Sequence, residues 1–352
     1  MVTISGHTVF APTRYTPPTP PRAHDAATNA PETGSHGVVR RFLERFALIA
    51  FALYHVPLFL NNYPSLGGGG FNDTGLAVRW GHVFTPAGVW VAHHIFHIAG
   101  AMPNGYRGDN GDVAEEFGRL LLAVVIGVLA GACWTVADRR RPRARWVPES
   151  LRVLLRYAIA LGLASYAIAK LLPIQFPPLR GPILEQRVGD LTPMALLWSF
   201  MEYSRPYAFF GGLMEMAAVL LLCFRRTASL GALTCLAVMV NVALLNWAYG
   251  VPVKLYSTML AVSAAVLVVY ELPRLTAFFL RNAPVPPESN ASFIHARVPT
   301  RARWTIKLLL VGSVCLSSLV AMDSALSQRA GITAPADSSY RLLRARFHLI
   351  SE

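Results

Sequence analysis

Long apolar runs dominate the hydropathy pattern of the chain, and polar loops separate them. Each run can cross about 30 Å of hydrocarbon as an α-helix, at about 1.5 Å of rise per residue, although the sixth run is marginal. The pattern therefore predicts an all-α, polytopic transmembrane helix bundle of about seven spans. The predicted spans are residues 42–60, 118–137, 151–172, 207–224, 229–248, 255–271 and 304–322.

The segments around these spans indicate how the chain is organised. Residues 1–41 are rich in Pro, Thr and Ala and contain no apolar stretch, which is typical of a disordered tail. Residues 42–150 hold the first two spans, a long external loop and an amphipathic stretch over 87–102, which we predict to lie as a helix on the external face. Residues 276–303 are predicted to be a cytoplasmic linker, and residues 304–352 the last span and a C-terminal tail.

The composition supports the membrane prediction. Charged residues make up 14% of the chain, against about 25% in a typical soluble domain, and hydrophobic residues make up 54%. These values exclude a soluble dinucleotide-binding enzyme, a coiled coil and a secreted disulfide scaffold. Four cysteines lie in different apolar runs without CxxC spacing, so we expect small buried side chains rather than a dithiol site. They are Cys133, Cys223, Cys235 and Cys315.

The net charge is +13, and the distribution of the basic residues along the chain determines the predicted orientation. With the N-terminus in the cytoplasm, most of the 32 Lys and Arg residues fall in cytoplasmic segments, as the positive-inside rule requires. The positive excess therefore indicates contact with anionic lipid headgroups at the cytoplasmic face and argues against a nucleic-acid partner. We expect a protein integral to the bacterial cytoplasmic (inner) membrane with an external C-terminus. If residues 304–322 do not span, the basic C-terminal tail is cytoplasmic instead.

Polar and ionisable side chains inside the predicted spans are the first candidates for a functional site, because such residues are costly in hydrocarbon. Counted from the external helix ends, Glu215 lies about 12 Å deep and the others lie nearer the surface. All fall in the external half of the membrane, so converging helix faces would form an outward-facing polar pocket. The predicted pocket consists of His55, Tyr166, Lys170, Glu215, Asn241 and Asn246.

Glu215 is predicted to form the floor of this pocket, where the long side chain of Lys170 can reach down and neutralise it. Glu215, Lys170 and Tyr166 are the candidate catalytic residues, with Glu215 in a binding or proton-transfer role. The alternative interpretation is that these side chains only hold the helices together through buried hydrogen bonds.

Charged residues at the external helix ends are candidates for a gate above the pocket. Solvated loop charges, or a lysine that extends its side chain toward water, are the alternative explanation. The candidate gate residues are Asp190, Glu202, Arg205 and Lys254.

His93 and His97 lie four residues apart on one face of the external amphipathic stretch, a spacing compatible with metal binding. Two histidines supply only part of a four-ligand site, and the Glu of an HExxH motif does not accompany them. We therefore predict packing or headgroup contacts for these histidines and assign no metal site.

Several segments of the chain resemble the core of large DoxX-like membrane proteins. They are LRYAIALGLASYAIAKLLPIQFPP (Leu155–Pro178), GDLTPMALLWSFM (Gly189–Met201), FGGLMEMAAVLLLCFRRTASLGAL (Phe210–Leu233) and NVALLNWAYGVPVKLYS (Asn241–Ser257). WVAHHIFHI and NGYRGDNGD, earlier in the chain, look like the external helix and loop of the same group. The resemblance implies a core of four spans, the third to the sixth, within residues 151–275.

The resemblance also implies an association with redox chemistry. The related DoxD type belongs to thiosulfate:quinone oxidoreductases, and DoxX itself is linked to membrane complexes that handle thiols and oxidative stress. The expected function is therefore a quinone-linked redox subunit, with a quinone as cofactor and a redox partner subunit. The family supplies no agreed catalytic residues, and the absence of paired cysteines argues against direct thiol exchange. The alternative is a non-enzymatic membrane scaffold, a lipid-binding subunit or a small-solute permease.

Overall fold

A computed structural model describes residues 35–61, 83, 86–91, 93–95, 112, 114–141, 143–176, 178–179 and 182–285, with isolated positions between 299 and 312. Within these residues all regular secondary structure is helical and no strand occurs, so the all-α prediction is confirmed for this part of the chain. Most of the predicted N-terminal tail, most of the loop between the first two predicted spans, and the C-terminal tail lie outside the described residues.

Six helices of the described residues follow the first six predicted apolar runs, and two shorter helices lie between the third and fourth runs. They are α1 (Ser35–Asn61), α2 (Ala114–Ala137), α3 (Trp146–Leu171), α4 (Pro182–Glu185), α5 (Pro193–Tyr203), α6 (Arg205–Cys223), α7 (Ala228–Ala248) and α8 (Lys254–Phe279). Short 3₁₀ turns, Val188–Asp190 and Arg225–Thr227, precede α5 and α7. Residues 87–91 of the predicted amphipathic stretch are helical as well.

Five helical segments of the described chain are long and apolar enough to cross a membrane. They are Glu116–Ala137, Trp146–Leu171, Arg205–Cys223, Arg225–Ala248 and Lys254–Phe279. These segments coincide with the second to sixth predicted spans and are typical of a membrane protein. The count of seven stays a prediction. The first predicted span lies in α1, which carries four charged residues near its start, and the seventh lies almost wholly outside the described residues.

Two helices begin at least five residues earlier than predicted. α1 starts at Ser35, so the tail predicted over residues 1–41 gives way to helix before its end. α3 starts at Trp146, although the predicted core began at residue 151. Pro148 lies in the first turn of α3, where an N–H group has no intrahelical partner to lose.

α8 is longer than the marginal span predicted over residues 255–271. It runs for 26 residues and ends at Phe279, so the linker predicted over 276–303 begins within helix. Arg274 donates to Glu271 at 2.9 Å, three residues apart on one helix face. The two charges that interrupt the apolar run therefore satisfy each other, and the helix continues past them.

α3, α6, α7 and α8 form a closed ring, in which each helix packs against the next and α8 returns to α3. The ring contains the third to sixth predicted spans. Leu155, Ile159 and Leu163 of α3 are buried at successive four-residue steps, so one face of α3 lies in the core. Leu222 of α6 and Leu260 of α8 belong to the same apolar cluster.

α1 packs against α3 outside the ring, and α2 packs against α1. Gly127 and Gly131 of α2 lie against α1. A Cβ added at Gly127 would lie 3.0 Å from Cβ of Ala50, and one at Gly131 would lie 3.0 Å from N of Phe46. Glycines four residues apart allow two membrane helices to approach closely. This glycine pair therefore sets the distance between α1 and α2.

One end of the bundle is rich in arginine. Arg45, near the start of α1, donates to Asp138 at 2.6 Å, which places the loop over residues 138–145 beside the start of α1. Arg156 near the start of α3 donates to the carbonyl of Leu222 at 2.7 and 2.9 Å, so the end of α6 lies here too. We call this region, which also holds the α6–α7 turn and the end of α8, the basic end.

Asp112, just before α2, caps α8 at the opposite end of the bundle. Its carboxylate accepts hydrogen bonds from the backbone N–H groups of Lys254 and Leu255 at 3.1 and 2.8 Å, and from Nζ of Lys254 at 2.9 Å. The first N–H groups of a helix lack intrahelical partners, and a carboxylate there also meets the positive end of the helix dipole. Asp112 therefore ties the start of α2 to the start of α8.

Candidate functional site

Lys170 and Glu215 form a buried ion pair between α3 and α6. Nζ of Lys170 donates to Oε1 of Glu215 at 2.5 Å, and the two side chains are 8% and 2% exposed. Lys170 belongs to the last turn of α3, and Glu215 lies in the middle of α6. The structure thus brings together the two charged residues at the centre of the predicted pocket.

Gly212 leaves the space that lets α3 and α6 come close enough for this contact. It lies one turn before Glu215 on α6, directly against the end of α3. A Cβ added at Gly212 would lie 2.8 Å from Cβ of Lys170 and 3.0 Å from the carbonyl oxygen of Ala167. The absent side chain therefore lets the two helices approach closely at the level of the ion pair.

The second carboxylate oxygen of Glu215 is the least satisfied atom of the pair. Oε2 is buried and has no hydrogen-bond partner among the residues that the structure describes. An unsatisfied buried acceptor costs about 1–3 kcal/mol, and more when it is charged. Oε2 can accept a proton or a hydrogen bond from a ligand while Oε1 keeps its bond to Lys170.

α5 is a short helix that directly precedes the start of α6. The side chain of Thr192 accepts a hydrogen bond from the N–H of Ala195 at 3.2 Å, and Pro193 occupies the first turn, which are two common helix-start signals. With 11 residues, α5 is too short to cross a bilayer. It packs against α6 instead.

An apolar cluster joins α5 to the segment that follows α3. Phe176, Met201 and Ala208 are buried together, and the ring of Trp198 meets Phe176 edge-on with 5.8 Å between the centroids. Beside this cluster, Oε1 of Gln175 is buried with no hydrogen-bond partner in the described part of the chain. A second unsatisfied acceptor therefore lies a few residues after Lys170.

The four residues predicted to form an external gate fall in three places in the structure. Glu202 and Arg205 form an ion pair of 3.0 Å across the α5–α6 junction, with the carboxylate buried and the guanidinium largely exposed. Lys254 pairs with Asp112 at the start of α8. Asp190 is exposed in its 3₁₀ turn. Glu202 and Arg205 thus contact each other, whereas Lys254 contacts Asp112.

The predicted six-residue pocket is also divided among helix interfaces. Nε2 of His55 lies 3.1 Å from Oγ of Ser263, which joins α1 to α8. Asn246 donates to Oγ of Ser257 at 3.0 Å, which joins α7 to α8. All four side chains are buried, and each contact joins two helices without involving Lys170 or Glu215.

Two further pocket residues lie on other faces. The ring of Tyr166 faces that of Tyr256 on α8, with 6.1 Å between the centroids. Asn241 lies on an exposed face of α7 and does not join the buried residues. Counting residues from a helix end gives the depth of a side chain but not the direction in which it points, so one predicted layer contains several separate contacts.

The histidine pair receives no support as a metal site. His93 is an exposed helical residue, and His97 lies outside the described residues. His94, between them, stacks on Trp90 and lies 3.0 Å from its carbonyl oxygen through Nδ1. In the described ranges, no group of three His, Cys, Asp or Glu residues could hold a metal ion.

Sequence reasoning missed the polar partners that complete these contacts. Ser257 and Ser263 look like ordinary small residues of an apolar span, and Asp112 looks like a solvated loop charge. A recognisable signal existed at one position only. The glycines Gly211 and Gly212 come one turn before Glu215, which is the pattern of a close helix contact beside a buried charge.

Comparison with known proteins gives one informative relative. The chain is 31% identical over 139 residues to the "Uncharacterized protein YwoB" of Bacillus subtilis (strain 168), and the match covers 88% of that protein. The chain belongs to the YwoB family. The match takes up 40% of this chain, so the YwoB family accounts for less than half of it.

The YwoB family brings no activity with it, since the description of YwoB names none. No protein-family model matches the chain, and no solved structure matches it either. The DoxX-like resemblance therefore stays a prediction.

Proposed function

We propose that the chain is a DoxX-like protein of the bacterial cytoplasmic membrane that binds a quinone headgroup beside Lys170 and Glu215 and exchanges a proton with it. The N-terminus and the basic end face the cytoplasm in this proposal, and the C-terminus is external. The ion pair then lies toward the external half of the membrane. The observation that carries the proposal is the buried, unsatisfied Oε2 of Glu215.

The proposed chemistry is an exchange of one proton at Glu215. A quinol hydroxyl can donate to Oε2, while Lys170 holds Oε1. A quinol that is oxidised loses two electrons and two protons, and Glu215 is the base that accepts the first proton. Both electrons and the second proton pass to a redox partner subunit, which the proposal requires. Tyr166, one helical turn before Lys170, is the second candidate for proton exchange.

Mass spectrometry of small molecules extracted from the protein in native lipid nanodiscs tests this proposal. We expect stoichiometric quinone with the wild type and depleted quinone with Glu215→Gln. Glu271→Gln is the matched control, because it makes the same change in a carboxylate that pairs with Arg274 at the basic end. Equal quinone in both variants, or only bulk lipid in the wild type, would contradict quinone binding.

The closeness of the Lys170–Glu215 contact favours a second candidate function. In this alternative the pair only fastens α3 to α6 in a membrane scaffold, a lipid-binding subunit or a small-solute permease. Glu215→Gln then lowers the unfolding temperature, and the double variant Lys170→Met/Glu215→Leu partly restores it. A restored double variant, with no quinone in the wild type, would select the structural role.

A further inference from the structure

One face of α5 is both apolar and exposed. Leu196, Phe200 and Tyr203 follow one another at steps of four and three residues, so they form a single stripe along the helix. Their exposed fractions are 40%, 53% and 85%. We call these three residues the outer stripe.

The opposite side of α5 is apolar as well. Met201 is buried with Phe176 and Ala208, and Leu197 and Trp198 pack against them. A surface helix that faces water usually carries polar side chains on its outer face. Since both sides of α5 are apolar, the outer stripe is typical of a face that is covered by an apolar partner.

The outer stripe is continuous with the exposed surface of α6, which is one of the helices long and apolar enough to cross a membrane. A single residue, Ser204, separates the two helices. The ring of Phe200 meets that of Tyr207 edge-on, with 5.5 Å between the centroids. Leu213 and Leu220 continue the exposed apolar surface along α6. A lipid that covers this surface of α6 would therefore also meet α5.

The side chains around the α5–α6 junction are typical of the boundary between headgroups and acyl chains. Tyrosine and tryptophan are enriched at that level of a membrane. Tyr203 and Tyr207 are exposed at the junction, and Trp247 is exposed at the end of α7, which lies at the same end of the bundle. Arg205, at the start of α6, is 63% exposed. An arginine at this boundary can keep its guanidinium among polar headgroups.

We propose that α5 lies in the outer boundary between headgroups and acyl chains, and that its outer stripe contacts phospholipid of the external leaflet. The junction of one residue holds α5 at the level where α6 enters the hydrocarbon. Interfacial helices bury their apolar face by about 5–10 Å in this boundary, which suits a helix that is too short to cross. The inference uses the membrane placement proposed above and does not depend on quinone binding.

Electron paramagnetic resonance of nitroxide-labelled full-length protein in vesicles of phosphatidylethanolamine and phosphatidylglycerol tests this contact. The labels are attached to Phe200→Cys and, separately, to Leu196→Cys, in a background whose four cysteines are replaced by alanine. Collisions with oxygen, which concentrates in hydrocarbon, are compared with collisions with a nickel chelate, which stays in water. Asp190→Cys, in the exposed turn before α5, is the matched control for water, and Leu220→Cys is the control for lipid.

We expect the ratio of oxygen to chelate collisions to be about tenfold higher at both labelled α5 positions than at Asp190→Cys, because an interfacial helix buries its apolar face. Mainly chelate collisions at the α5 positions would overturn the lipid contact in favour of a face in water. Few collisions with either reagent would overturn it in favour of a protein cover.

The Leu220→Cys control separates failure of this inference from failure of the membrane placement. Oxygen collisions at Leu220→Cys, combined with chelate collisions at the α5 positions, would overturn only the inference about α5. Mainly chelate collisions at Leu220→Cys would overturn the placement of α6 in the membrane, and the lipid contact of α5 with it.

Discussion

At the scale of single residues, the buried ion pair depends on a missing side chain. Moving a lysine and a carboxylate out of water carries a large desolvation cost, which close contact between the charges offsets only with good geometry. The 2.5 Å contact between Lys170 and Glu215 provides that geometry. It exists because Gly212 lets the end of α3 approach α6.

Gly212→Ala should separate α3 from α6, because the new Cβ would lie 2.8 Å from Cβ of Lys170. We expect a loss of about 1–3 kcal/mol in the free energy of unfolding, the usual effect of overpacking. Chemical unfolding in nanodiscs measures it. Gly211→Ala is the matched control, since its Cβ would meet only Cδ of Lys170 at 3.9 Å. Equal stability of the two variants would contradict a special role for Gly212.

The Lys170–Glu215 contact could be predicted from the sequence, because two opposite charges at similar depth in hydrocarbon have few alternatives to pairing. The other pocket residues could not be combined in the same way. Neutral groups such as Asn246 and His55 can bond to small hydroxyls on more than one helix, since α2, α3, α7 and α8 all carry Ser or Thr. His55 bonds to Ser263 and Asn246 bonds to Ser257 because of the rotation of each helix about its own axis. The depth of a residue in the membrane does not determine that rotation.

At the scale of helices, apolar runs predict where a span lies, and local polar contacts decide where it ends. The pair between Glu271 and Arg274 lets α8 continue where its apolar run stops. Pro148 fits the first turn of α3, so that helix starts before its apolar stretch. Hydropathy predicts neither extension. One depends on an ion pair between two charged side chains, and the other on a proline in the first turn, where no backbone hydrogen bond is lost.

Asp112→Ala should loosen the start of α8, because three hydrogen bonds to its carboxylate are lost. We expect a loss of about 1–2 kcal/mol in unfolding free energy, the range for removal of a helix cap. Hydrogen exchange of the amides of Lys254 and Leu255 should accelerate. Asp190→Ala, at an exposed aspartate, provides the comparison. Unchanged exchange at the start of α8 would show that the cap is unimportant.

At the scale of the whole molecule, the packing order of the helices is the part that the sequence could not provide. α3, α6, α7 and α8 close a ring, α1 packs against α3 outside it, and α2 packs against α1. The arginines near the start of α1, in the α2–α3 loop and near the start of α3 gather at one end. The distribution of Lys and Arg among the loops predicted one basic side. The ion pairs of Arg45 with Asp138 and of Arg143 with Glu44 hold the α2–α3 loop against the start of α1.

The proposed function uses one placement, in which the ring crosses the membrane with the basic end in the cytoplasm. Labelling of Arg140→Cys and Val188→Cys variants with a membrane-impermeant maleimide tests this placement most directly. The background has Cys133, Cys223, Cys235 and Cys315 replaced by alanine. Arg140 and Val188 are both exposed, on opposite sides of α3 in the chain.

We expect the reagent to label the Val188→Cys variant from outside intact spheroplasts. The Arg140→Cys variant should react only after the membrane is permeabilised. Labelling of both variants from the same side, or of the Arg140→Cys variant alone from outside, would contradict this placement.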